Sequence, residues 1–357
     1  MDEPETTTPR RARLAADLAV LAVVGVLLIA AIAAGVSTLY TSYYGPSAFV
    51  TRYLDLLSSG RAADALHVPG VAVDSATLSD AGIDGKPSEA LLRSAALAPL
   101  TDIEVVSEQA AGEGFDVTVS YLASGHAGTT TFRIEQDGWA GITPNWRFAQ
   151  SPLAVIDLTL RGADRFAVNG FEMQRGQISA AGAEAAPLDP LPMLVFTPGL
   201  YAVSVDTAIS TASGIGVLAD SPLASTPLDV QTSPTDEFIA IVQQRVEEFL
   251  AQCATQEVLQ PTACPFGLEV RDRLASTPQW SITTPPTITV VPDGAQWRIP
   301  ATGAVAHIEV KVRSLFDGTV DDLAEDVPFQ VDGTIAILPD GTASIKVGSP
   351  VESAPAD

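Results

Sequence analysis

Residues 304–314 read Ala-Val-Ala-His-Ile-Glu-Val-Lys-Val-Arg-Ser. Ile308, Val310 and Val312 alternate with Glu309, Lys311 and Arg313, so one face of an extended chain is apolar and the other charged. A period of two is the pattern of a half-buried β-strand. The stretch therefore commits this part of the chain to a sheet with one wet face.

The same pattern occurs upstream at a constant offset of 193. Phe115-Asp116-Val117-Thr118-Val119 falls on Ile308-Glu309-Val310-Lys311-Val312, and Leu122 and Gly125 fall on Leu315 and Gly318. Arg52, Asp55, Leu57, Asp64 and Leu66 fall on Arg245, Glu248, Leu250, Glu257 and Leu259. Two separated segments sharing one offset argue for a duplicated domain. Each copy starts with a helix. Pro46 to Leu57 places Phe49, Tyr53, Leu54 and Leu57 on one face, and Gly60 ends it. Ser233 to Gln252 is the second, with Ser233 as N-cap, Pro234 in the first turn and Asp236 and Glu237 at the positive end of the dipole.

Strand candidates after the first helix are Ile103 to Val106, Phe115 to Leu122 and Thr129 to Glu135. After the second they are Thr287 to Val291, Ala304 to Ser314, Pro328 to Val331, Thr334 to Leu338 and Ala343 to Val347. Residues 151 to 232 show no helical period. Val155 to Leu160 and Leu200 to Val205 alternate like strands, Asn169-Gly170 signals a tight turn, and Ala180 to Pro192 is a loop. This middle part reads as a small β-sandwich.

Near the N-terminus, Leu18 to Val36 carries no charged residue and would rise about 30 Å as a helix, the thickness of a bilayer's hydrocarbon core. Arg10, Arg11 and Arg13 precede it, and no Lys or Arg follows until Arg52. That bias predicts a cytoplasmic N-terminus and a body outside the membrane. A cleaved signal peptide is the competing reading, with Ala31-Ile32-Ala33 as the cleavage site; the length of the run favours a retained anchor. The expected fold class is thus a single N-terminal transmembrane helix, a helix-plus-sheet α+β domain, a small β-sandwich and a second α+β domain. Boundaries follow as a stub at 1–13, the helix at 14–40, the domains at 45–150, 151–232 and 233–349, and a disordered tail at 350–357.

Net charge is −24 over 357 residues, with 46% hydrophobic and 17% charged. A field of that sign repels nucleic acid and anionic headgroups and favours cations, basic proteins or plain solubility. The two cysteines, Cys253 and Cys264, read as a structural disulfide of an oxidising compartment, against two unpaired core thiols as the alternative.

No motif for chemistry emerges. The three histidines, His67, His126 and His307, are widely separated and none has an E-x-x-H companion. There is no G-x-S-x-G and no S-x-x-K. Gly214-Ile215-Gly216 lacks a phosphate-loop lysine and reads as a loop between strands. The acids Asp317, Asp321, Asp322, Glu325 and Asp326 fit no calcium-loop register and read as a solvated loop. Trp139, Trp146, Trp280 and Trp297 read as core or hairpin packing rather than a sugar platform. No catalytic residue, cofactor or metal site is expected.

The order of anchor, helix-plus-sheet domain, sandwich with a Pro198-Gly199-Leu200-Tyr201 strand, and second helix-plus-sheet domain resembles the TcaA-like bacterial envelope proteins. So do the Tyr53 to Leu57 helix, the Phe196 to Val205 strand and the Trp146-Arg147-Phe148 close of the first copy. The N-terminal zinc ribbon usual in that family is missing here. The resemblance implies nuclear-transport-factor-like cones and a non-catalytic binding or scaffold role at the cell envelope, with an envelope protein or a cell-wall polymer as partner. Two alternatives stand beside it: a cone pocket that binds a small ligand or performs acid–base chemistry, and a structural spacer.

Overall fold

The computed structural model describes residues 10–83, 85–141, 143–338 and 342–347. The long helix α1 (Arg10–Tyr44) leads into α2 (Pro46–Ser58), α3 (Ala62–Leu66) and α4 (Ser75–Asp80). A four-stranded antiparallel meander follows: β1 (Leu100–Ala111), β2 (Gly114–Ala123), β3 (His126–Ala140) and β4 (Thr143–Phe148). Helix α2 lays Phe49, Val50, Tyr53, Leu54 and Leu57 on Val117, Val119, Phe132 and Ile134 of this sheet. Gly60 closes the helix at φ +72, a conformation glycine adopts without Cβ strain.

The middle of the chain forms two sheets. One has the order β11 (Ser225–Gln231), β5 (Leu153–Arg161), β8 (Leu191–Phe196). The other runs β12 (Ser233–Pro234), β10 (Ser210–Ala219), β9 (Gly199–Asp206), β6 (Arg165–Val168), β7 (Phe171–Gln174), and the short α5 (Arg175–Ile178) follows β7. Leu158, Leu160, Phe166, Val195, Tyr201, Val203 and Val205 fill the space between them. Asn169 and Gly170 turn β6 into β7 at φ 50 and 83, the paired positive values of a type I′ hairpin. Leu153, Val155, Leu194, Phe196 and Leu200 point the other way and join the core under α2.

The last unit packs α6 (Asp236–Ala254) against a six-stranded sheet. Its strands are β13 (Arg273–Leu274), β14 (Gln279–Thr284), β15 (Val291–Asp293), β16 (Gln296–Arg313), β17 (Val320–Ile337) and β18 (Ala343–Val347). Phe238, Val242, Val246 and Leu250 meet Trp297, Ile299, Ile308, Val310 and Val331. Cys253 and Cys264 are joined as a disulfide with Cα atoms 5.8 Å apart, tying the end of α6 to the loop after it.

Several expectations are corrected. Among the described residues no helix is long and apolar enough to cross a membrane, which overturns the single-pass anchor and the membrane localisation drawn from it. The fold class is corrected with it: the chain is mostly β, 46% strand against 22% helix, in several sheets with a half-barrel among them. Long hairpins, rather than an even mix of helix and sheet, build the bulk of the body. Met1 to Pro9 and the tail at 350–357 lie outside the described residues.

Smaller corrections have local causes. Ser233 is not the cap of α6: Ser233 and Pro234 pair with β10, and Thr235 caps the helix by accepting from the Phe238 amide at 3.1 Å. Thr287 to Val290 is not strand, whereas Gln279 to Thr284 is. Gly214-Ile215-Gly216 lies inside β10, beside a register shift between Ala212 and Ile215, rather than in a loop. Most of the acidic segment is not a loop but the start of β17. The offset of 193 also fails to carry the ladder register. Val117 pairs with Phe132, yet Val310 pairs with Leu323 rather than with Glu325, which the offset would place there.

Candidate functional site

A cleft of about 620 Å³ opens where the middle sandwich meets the last unit. Its floor is the outer face of the five-stranded sheet. Arg165 pairs with Gln174 and Ala167 with Glu172 across β6 and β7, and Ala167 also faces Ser204 on β9. Side chains alternate along a strand, so Arg165, Ala167, Glu172, Gln174, Ser204 and Asp206 all project from this one face. Ala167 and Ser204 are small and leave the floor open. The turn from Thr207 to Ser210 forms one wall, held by Thr207 Oγ1, which accepts from the Ser210 amide at 2.9 Å. Ile337, at the end of β17, closes the far side.

Among the described residues, three carboxylates line the cleft, from Asp164, Glu172 and Asp206, against one guanidinium, from Arg165. They are not equivalent. Asp164 is mostly buried; Gln174 Nε2 donates to its Oδ2 at 2.8 Å, and Arg175 Nε lies 3.9 Å from Oδ1. Glu172 and Asp206 are exposed and make no ion pair or side-chain hydrogen bond among the described residues. Their charge is free to meet a ligand.

Arg175 sits behind the cleft and is engaged structurally. It donates through Nη2 to Leu160 O at 2.7 Å and through Nη1 to Asp189 O at 3.2 Å. These bonds lash the 180–190 loop to β5. Burial pushes the guanidinium pKa down, and the charges of Asp164 and Asp189 oppose that shift. A smaller cleft of about 330 Å³ lies beyond Asp164 and Gln174 and shares Gln177 and Ile337 with the first.

The residues singled out in the sequence lie elsewhere. His67 caps α3 and contacts Ala63 O through Nδ1 at 2.6 Å. His126 is exposed at the β2–β3 turn, and His307 meets Asp326 at 2.7 Å on the outer face of β16. No element brings the three together. Among the described residues no group of three His, Cys, Asp or Glu is placed to hold a metal ion. Trp280 and Trp297 are buried, Trp146 donates to Tyr44 O at 2.7 Å, and Trp139 is exposed. The spaces beneath α2 and α6, where a cone pocket would open, are filled by apolar side chains.

Sequence reading missed the cleft because its acids are isolated along the chain, at 164, 172 and 206, and only strand register gathers them. The available signal was the polar member of each alternating pair in the middle strands. No protein-family model matches this chain, and no curated protein or solved structure matches it either.

Proposed function

We propose that this chain is a non-catalytic binding or scaffold protein whose cleft takes a basic segment of a protein partner. The observation that carries the reading is the pair of unengaged carboxylates, Glu172 and Asp206, on a floor that the small Ala167 and Ser204 leave open. A net charge of −24 adds a long-range field that draws cationic partners and raises their rate of encounter. The resemblance to TcaA-like proteins points to the same non-catalytic class. A polysaccharide ligand is less well served: Phe166, the one aromatic lining the cleft among the described residues, is only 3% exposed, so its ring is not offered for a sugar to stack on. The acid–base alternative required titratable groups converging inside a cone, and apolar packing occupies those interiors.

Isothermal titration calorimetry of the full chain with a synthetic lysine- and arginine-rich peptide tests the reading. Binding is expected to weaken as salt rises and to fall roughly ten-fold in a Glu172→Gln/Asp206→Asn double variant. Equal affinity of the double variant, or no heat with any basic peptide, refutes it.

A further inference from the structure

The two clefts adjoin. Ala163, Asp164, Gln174, Gln177 and Ile337 line both, so a segment that leaves the larger over these side chains meets the smaller directly. The chemistry changes across that boundary. The larger cleft presents Glu172 and Asp206, exposed and unengaged among the described residues. In the smaller, the charged groups of the described lining are already taken. Asp164 accepts from Gln174 Nε2 at 2.8 Å, and Arg175 donates to Leu160 O at 2.7 Å and to Asp189 O at 3.2 Å.

What the smaller cleft offers a ligand is apolar. Leu338, just past the end of β17, lines it and is 39% exposed. Ala183 and Pro187 of the 180–190 loop line it too and are exposed. Its space, about 330 Å³, exists because Gly162, Gly176, Gly182 and Ala295 carry almost no side chain. The loop that forms one wall is fixed by Arg175 and by Asp189 Oδ2, which accepts from the Ala186 amide at 2.9 Å. A wall held in this way gives a largely preformed pocket, so a side chain entering it meets little cost of ordering.

The floor of the larger cleft sets the direction. Arg165 pairs across β6 and β7 with Gln174, at the boundary, and opposes a cation there. Glu172 lies two positions back along β7, roughly 7 Å away at the rise of a strand. We infer that the two clefts together read a bipartite segment of the protein partner. One or two basic residues lie over Glu172 and Asp206, about two to four residues of extended chain cross the boundary, and one apolar side chain seats in the smaller cleft. The inference rests on the reading of the larger cleft as the site of a basic segment, and adds an apolar requirement and a spacing to it.

Titration calorimetry of the full chain with two synthetic peptides of equal length and charge tests it. One carries two lysines followed, three residues on, by phenylalanine; the other has serine in place of the phenylalanine. The phenylalanine peptide is expected to bind roughly ten-fold more tightly, as burial of one aromatic side chain implies. Ala183→Trp, which fills the smaller cleft, is expected to abolish that preference while leaving the serine peptide unchanged. Leu338→Ser, which removes the exposed leucine, is expected to reduce the preference several-fold. Glu172→Gln/Asp206→Asn is expected to weaken both peptides and keep their ratio. Equal affinity of the two peptides for the wild-type chain overturns the inference and leaves the basic-segment reading standing. A preference that survives both Ala183→Trp and Leu338→Ser in chains of unchanged melting temperature also overturns it. No heat with either peptide removes the inference together with the reading beneath it.

Discussion

The phenol of Tyr53, on α2, donates to the main-chain oxygen of Thr197, 3.0 Å away and 144 residues along the chain. The same ring packs edge-on against Phe132 and Phe148, so one side chain joins the first sheet's core to the end of β8. Tyr53→Phe keeps the packing and removes the bond, and is expected to cost about 1–2 kcal/mol in urea unfolding.

Tyr53 and Tyr201 also set an alkaline limit. Burial holds both phenols well above the ordinary value. In the unfolded chain they ionise near pH ~10, whereas in the native protein they stay neutral. The unfolded state therefore binds fewer protons above that pH, and stability falls as pH rises. The contribution is whole below about pH 10 and declines by about 1.4 kcal/mol per pH unit for each phenol above it. A denaturant series from neutral pH upward should show this decline, with a shallower slope in Tyr53→Phe.

Replacing both Cys253 and Cys264 by serine opens a loop with a sequence separation of 11. The loss should be about 3 kcal/mol in the chain-entropy model, read as a lower midpoint of thermal or urea unfolding. Mass spectrometry of unreduced peptides should show the two segments linked.

Gly162 follows β5 at φ +78, and a Cβ there would stand 2.6 Å from both Trp297 Nε1 and Thr232 Oγ1. Gly162→Ala combines left-handed strain with overpacking and should cost about 2–4 kcal/mol. Displacement of the fully buried Trp297 ring should shift its fluorescence to the red. An unchanged spectrum and stability would refute the close approach.

Neighbouring positions on β16 give opposite expectations. Val310 is buried at 5% exposure, so truncation to Ala should cost about 2–3 kcal/mol through lost burial and a residual cavity. The Glu309 side chain is 73% exposed, and its truncation should change stability by under about 0.5 kcal/mol. Equilibrium unfolding of the two variants checks the assignment of faces.

How far the sequence shows its structure follows from where the core is. Along Ile308, Val310 and Val312 the core enforces alternation, and the strand can be read directly. Beyond them β17 begins Val320-Asp321-Asp322-Leu323-Ala324-Glu325-Asp326, where neither face is buried and no period of two survives. The acids there read as loop although the backbone is paired residue by residue with β16. Helix α2 was legible because Phe49, Tyr53, Leu54 and Leu57 share a buried stripe; the true cap of α6 was not, because Ser233 is taken by a strand pairing with residues earlier in the chain. The cysteine pair was legible from its isolation. The cleft was not, since Glu172 and Asp206 meet only through the β7–β6–β9 order of the sheet.

Strand β17 starts at Val320, one residue past the hairpin turn, and ends at Ile337, which lines the cleft. Its 18 residues extend over roughly 55 Å at the rise of a β-strand. Charges at the turn and charges at the cleft are therefore separated by several Debye lengths at physiological salt and do not sense one another through solvent.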